Sequence, residues 1–185
     1  TGFDTTVGLL RMCCLQLVNH PEAQRKLQAE VDALGDRTIR YEDQKLLPYM
    51  CAFLQEVYRL TNVLPVNFIR KTSQDTNIEG FSIARGTSVL PQFAMVHLDP
   101  SEFERPDFFC AERHIDKDGR FVKDPPFSVG KRACLGETLA RMEIFVMLAA
   151  FVQNCHFFPV EKMPPPVEFD QGFTRSVKQY MVKIE

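Results

Sequence analysis

Hydrophobic residues return at helical spacing along several stretches of this chain, with polar, glycine and proline-rich pieces between them. From Thr5 to Val18 the apolar side chains recur every three or four positions, and Asn19, His20 and Pro21 close the segment. A second helix is predicted over Pro21 to Leu34, with proline at a tolerated first-turn position and Gly35 as a stop. Its charges, Glu22, Arg25, Lys26 and Glu30, mark a solvated face. A turn over Tyr41 to Leu46 leads into a third helix, Pro48 to Leu60. Strand-like pieces follow at Asn77–Ile83 and Ser88–Leu90, punctuated by Gly80 and Gly86, then a short helix over Pro91 to His97. Residues 99 to 133 carry prolines at 100, 106, 125 and 126 and no sustained period. A structureless stretch that long inside a compact domain is uncommon and often functional. The last strong helix is predicted from Gly136 to Val152, before a proline-rich turn (Pro159, Pro164 to Pro166) and a terminal strand, Gln179 to Ile184. The pattern predicts a mainly α fold with a minor β-sheet.

Composition narrows the class. The 185 residues fit one domain, and 45% hydrophobic with 25% charged residues is near the globular average. A net charge of -2 carries no sequence-wide basic signal, so nucleic acid is not an expected partner. The longest apolar run, Ile144 to Val152, is far short of the roughly 20 residues of a spanning helix. Nothing at the start reads as a signal peptide, yet the chain opens on Thr1 rather than Met. Six cysteines would suit a secreted disulfide framework. However, Cys13 and Cys14 are adjacent in an apolar run and poorly placed to bridge each other. Mostly reduced, buried thiols are the better reading. Sixteen Phe against no Trp predict a core of large rings without hydrogen-bonding demands. Cys110 with His114, and Cys155 with His156, are too sparse for a zinc site.

The strongest chemical signal is Phe127-Ser-Val-Gly130-Lys-Arg132-Ala-Cys134-Leu-Gly136. A cysteine at the N-terminal edge of a long helix meets unpaired amides and the positive end of the dipole. With Arg132 two residues earlier, these favour thiolate. Gly130 permits a tight turn, Gly136 permits close approach of something bulky, and Phe127 would shield the sulfur from water. A thiolate held this way suits a metal. The rival reading is an inert or reactive thiol beside a helix start.

The spacing Phe-x-x-Gly-x-Arg-x-Cys-x-Gly is matched at every fixed position, and it resembles the haem-binding loop of the cytochrome P-450 haem-thiolate monooxygenases. The resemblance implies haem b (heme; iron protoporphyrin IX), with Cys134 as axial iron ligand and Arg132 paired with a propionate. Thiolate ligation favours O–O cleavage. Upstream, Glu56-Val-Tyr-Arg59 matches the family's Glu-x-x-Arg, and i,i+3 spacing puts both on one helical face. Alone, that pair reads as a solvated salt bridge worth about 0.3–0.5 kcal/mol. Ala111-Glu112-Arg113-His114 resembles the family's Pro-Glu-Arg-Phe element, with Ala for Pro and His for Phe. Arg113 then completes a structural triad with Glu56 and Arg59 that presents the Cys loop.

Thr1-Gly2-Phe3-Asp4-Thr5-Thr6 resembles the family's distal oxygen-binding motif, in which Asp4 and Thr5 would relay protons. Asp-Thr is also a common helix start. Arg70 stands at a spacing resembling the second propionate contact, against an exposed strand arginine as rival. Phe3, the segment Val63 to Asn67 (Val63, Leu64, Asn67) and Gly172-Phe173-Thr174 fall where substrate contacts lie, although Phe173 also suits a core.

The resemblance covers nearly all 185 residues and is similar in flavour to the animal microsomal branch. It implies the C-terminal part of a single monooxygenase domain, residues 1–185, with the N-terminal part absent. The expected activity is insertion of oxygen from O2 into a small apolar substrate. Electrons would come from an NADPH-dependent reductase, docked through Lys131 and Arg141. The expected location is the endoplasmic reticulum membrane, cytosolic face, held through the missing N-terminal part. Two alternatives stay open: a haem-thiolate isomerase or dehydratase, and a non-catalytic remnant that cannot assemble the site.

Overall fold

A computed structural model describes residues 2–122, 127–170 and 172–185. Thr1 of the distal motif and Pro125 and Pro126 of the irregular stretch lie outside them. Helix α1 spans Gly2–Asn19, α2 Pro21–Asp32 and α3 Pro48–Thr61, with a 3-10 helix at Tyr41–Leu46 between the last two. Strand β1 (Arg70–Lys71) pairs antiparallel with β4 (Ser88–Val89), and β2 (Thr76–Ile78) with β3 (Phe81–Ile83). The β2–β3 connection is the dipeptide Glu79-Gly80, both at positive φ (49° and 86°), a turn whose twist suits a two-residue hairpin. Helix α4 covers Phe93–His97 and α5 covers Glu137–Asn154. At the end, β5 (Phe157–Pro159) pairs with β8 (Val182–Ile184), and β6 (Phe169–Asp170) with β7 (Ser176–Val177). The fold is therefore mainly helical with small antiparallel sheets.

Helix α3 is the centre. Twelve of its 14 residues are buried, from Tyr49 to Thr61, because α1, α2 and the chain around Ala111–His114 all pack on it. Burial of Met50, Phe53 and Val57 stabilises the fold by about 1.5–3 kcal/mol each. Leu47 precedes it without a side-chain cap, and the cap comes from another helix. Glu30 on α2 accepts the Tyr49 and Met50 N–H groups at 2.7 and 2.9 Å. A carboxylate at a helix N-terminus is favoured by orphan donors and dipole together. Burial lifts the Glu30 carboxyl above its usual range, although both N–H bonds pull the other way. Glu30 thus leaves the solvated face expected of it, and Lys26 is engaged by Glu112.

Other expectations change as well. Pro159 lies in β5, not in a turn, and the pieces at 157–159, 169–170 and 176–177 are strands without a sequence signal. The stretch 99–133 holds short 3-10 helices at Ala111–His114 and Gly130–Arg132 and a bridge between Ile115 and Phe121. Of the sixteen phenylalanines only Phe53, Phe109, Phe145 and Phe157 are fully buried. Many rings, including Phe3, Phe68, Phe81 and Phe173, are exposed, so the Phe-rich core is smaller than composition suggests. The thiols are likewise not mostly buried: Cys13 alone is fully so, and Cys134 is exposed. Burial pushes Cys13 well up, Cys14 up to about 11 and Cys51 up to about 12, which makes them inert packing groups. Among the described residues no helix is long and apolar enough to cross a membrane.

Candidate functional site

Two groups of side chains sit on opposite sides of α3. Successive helical residues are about 100° apart, so Glu56 and Arg59 share a face while Tyr58 points away from it. The Glu56 face carries a buried charge network. Arg59 Nε donates to Glu56 Oε2 and Nη2 to Oε1, both at 2.8 Å. Arg113 Nε reaches Oε1 at 3.0 Å, the Cys110 amide reaches it at 3.1 Å, and His114 Nε2 lies 2.8 Å from Oε2. Arg59 Nη1 also donates to the carbonyls of His97 and Pro106, both at 2.6 Å, and Arg113 Nη1 to that of Glu104 at 2.9 Å. Burial would raise the Glu56 carboxyl, but the Arg59 and His114 hydrogen bonds and the Arg59 charge prevail and hold it at about 2. The expected triad of Glu56, Arg59 and Arg113 is assembled, and His114 joins it. The departure from Phe at position 114 was the signal for that fourth partner.

On the other side, a cavity of about 480 Å³ opens between the start of α1, the end of α3 and the Cys134 loop. Cys134, Arg132, Phe127 and Gly136 from the loop line it, as does Thr5 from α1. Val63, Leu64, Asn67 and Arg70 line it from the segment after α3. Arg70 is in strand β1 and in the cavity wall at once, half-buried rather than exposed. Gly130 is not in the wall; at φ 70° it opens the 3-10 helix, and the Ala133 amide closes the turn onto its carbonyl at 3.1 Å. The Cys134 amide donates to the Phe127 carbonyl at 3.0 Å, which folds the loop back on itself.

Phe127 does not shield the sulfur. Its ring packs edge-on against Tyr58 with centroids 5.4 Å apart and under the Arg141 guanidinium at 4.8 Å, leaving Cys134 exposed. Arg141 also departs from expectation. Its side chain is 12% exposed, paired to Glu137 at 2.8 Å and laid over Tyr58, so it is turned inward rather than toward a partner. Lys131 is exposed and also lines the cavity.

Asp4 is exposed in the first turn of α1 and absent from the cavity wall. Thr5 and Thr6 donate hydroxyls to the Gly2 carbonyl at 3.3 and 2.9 Å. Phe3 and Thr174 are outside the wall too, and Phe173 reaches it indirectly, with its ring 5.2 Å from that of Phe68, a lining residue. The Arg175 amide donates to the Val63 carbonyl at 2.8 Å and ties that segment to the wall. Sequence reasoning did not name Leu9, Tyr58, Asn62, Phe93 or His97 as lining residues. Tyr58 and Asn62 were findable from their places within and just after Glu-x-x-Arg, while Phe93 and His97 carried no signal.

The family model for cytochrome P450 matches residues 1–184. A probable cytochrome P450 CYP36A1 of Caenorhabditis elegans is 42% identical over 188 residues, 98% of this chain and 38% of the relative. Cytochrome P450 2K6 of Danio rerio is 37% identical over 98% of this chain and 37% of its own length. The structure of a zebrafish cytochrome P450 with abiraterone superimposes with a TM-score of 0.90 at 32% identity. That overlap covers 97% of this chain and 44% of that one. The chain therefore spans roughly two-fifths of the length of these relatives.

Proposed function

The chain belongs to the cytochrome P450 family, and on that premise we propose that it carries the haem b site of a haem-thiolate monooxygenase, with Cys134 as the iron ligand. The observation that carries this reading is one cavity shared by an exposed thiol, two guanidiniums and an apolar wall. The donor set fits the group. Cys134 offers a soft sulfur donor, Arg132 and Arg70 offer two cations for two carboxylates, and Leu9, Val63 and Leu64 offer apolar contact. A Cβ at Gly136 would stand 4.0 Å from the Cys134 sulfur, in ordinary contact with it. When bound, such a group supplies O2 activation, favoured by electron density pushed from the thiolate.

The residues of this chain do the rest. The bond from the Cys134 amide to Phe127 sets the loop, and the Glu56 network anchors the chain leading into it. Val63, Leu64 and Asn67 hold a small apolar substrate and exclude water, with Phe3, Phe173 and Thr174 contributing from outside the cavity wall. The Thr5 hydroxyl passes a proton inward, with Asp4 as the acid on the solvent side. Exposed Lys131 contributes to docking an acidic, NADPH-dependent reductase, and the parent works at the cytosolic face of the endoplasmic reticulum membrane.

In the full-length protein, Cys134→Ala abolishes the red-shifted Soret band of the reduced carbon monoxide complex. Survival of that band overturns the ligand assignment. Product formed without reductase and NADPH would replace the monooxygenase with an isomerase or dehydratase.

A further inference from the structure

The Glu56 carboxylate is fully buried, and its donors exceed what the three-residue charge motif supplies. Arg59 spans both oxygens, while Arg113 Nε and the Cys110 amide go to Oε1. The remaining donor is His114, 2% exposed, whose Nε2 lies 2.8 Å from Oε2. An ionised carboxylate between two guanidiniums has no proton to give, so Nε2 must carry the hydrogen of that bond.

His114 also stands where the chain doubles back. Its carbonyl accepts the Val122 amide at 2.8 Å, and Ile115 bridges Phe121 beside it. Further along the sequence, Phe127 packs on Tyr58 on the other side of α3, and its carbonyl receives the Cys134 amide. The same helix thus holds both ends of this segment: Glu56 grips it at His114 and Tyr58 meets it at Phe127.

We propose that His114 is a fourth member of the Glu56 network and a positioning residue for the Cys134 loop, its Nε2–H pinning the 111–122 segment to α3. A phenylalanine at this place, as in the element it resembles, fills the space but, among the described residues, leaves Oε2 to Arg59. The consequence for iron ligation rests on the haem reading above; the anchoring itself does not.

Hydrogen–deuterium exchange of the full-length protein, with and without haem, tests this over Cys110–Val122 and Phe127–Gly136. His114→Phe keeps a ring and loses the donor, and it speeds exchange in both segments by about tenfold or more. His114→Gln keeps a donor, and it stays within about threefold of the native protein. Native rates in the Phe variant, or faster exchange in Gln than in Phe, would mean that the ring only packs, and would overturn the proposal. A change confined to Cys110–Val122 overturns the coupling to the Cys134 loop. If the native protein lacks a thiolate-type band while the ordering of variants holds, the haem reading falls and His114 keeps its place.

Discussion

The two faces of α3 solve opposite problems. On one, Glu56 is buried with Arg59 on both oxygens, Arg113 and the Cys110 amide on Oε1, and His114 on Oε2. On the other, Tyr58 backs a cavity whose thiol and two guanidiniums face open space. A buried charge that lacks its partners is costly, so the first face has to be complete within the fold. On the proposed reading the second face receives a group from outside, and such a site has to leave polar atoms uncovered. One helix therefore joins a closed electrostatic anchor to the wall of an open cavity, and each can be broken separately.

The largest expected effect is on the closed face. Glu56→Gln removes the anion that pairs with both Arg59 and Arg113, and stability falls by about 3–5 kcal/mol in denaturant unfolding. A loss below about 1 kcal/mol would show that the network is not what anchors the segment. The pH dependence sharpens the same point. The folded Glu56 carboxyl is held at about 2, below its unfolded value, so its contribution is complete above the ordinary carboxylate range. It is lost as pH falls toward 2. The native protein should lose this stability progressively in acid, and the Gln variant should lack that part of the slope.

Damage to the open face is smaller in stability and larger in binding. Arg132→Ala leaves unfolding of the haem-free protein within about 0.5 kcal/mol of native, since the side chain is exposed. It speeds haem release by about tenfold or more, as loss of a charge-assisted bond should. Equal release rates would remove Arg132 from the propionate role. The smallest effect belongs to the rim of the anchor. Lys26→Ala breaks an exposed pair with Glu112 and costs at most about 1 kcal/mol, fading as salt is added. A larger, salt-independent loss would make that pair part of the buried network.

Much of this arrangement was legible in the residue order. Regular periods over α1, α2 and α3 and the stops at Asn19 and Gly35 placed those helices closely. The Cys134 loop and Glu56–Arg59 were visible because each is a local motif with fixed spacing. The two- and three-residue strands of the C-terminal region were not, because a strand that short has no alternation to read. Glu30 looked solvated because its partners, the amides of Tyr49 and Met50, lie on another helix. Arg141 looked available for the same reason: Tyr58 and Phe127 approach it only in three dimensions.

The sequence by itself determined the helices, the thiol at the head of α5 and the order of the charged motif residues. These depend on neighbours three or four positions apart or on a short contiguous run. Only the tertiary structure decided which face of α5 is buried. Ile144, Phe145, Leu148, Ala149 and Val152 pack inward, whereas Leu139, Met142, Val146 and Met147 stay exposed. A run that is apolar all round carries no period to choose between its sides, so packing against α1 and α2 makes the choice. The same holds for the fourth partner of Glu56, since His114 is 58 residues away along the chain and 2.8 Å away in the fold.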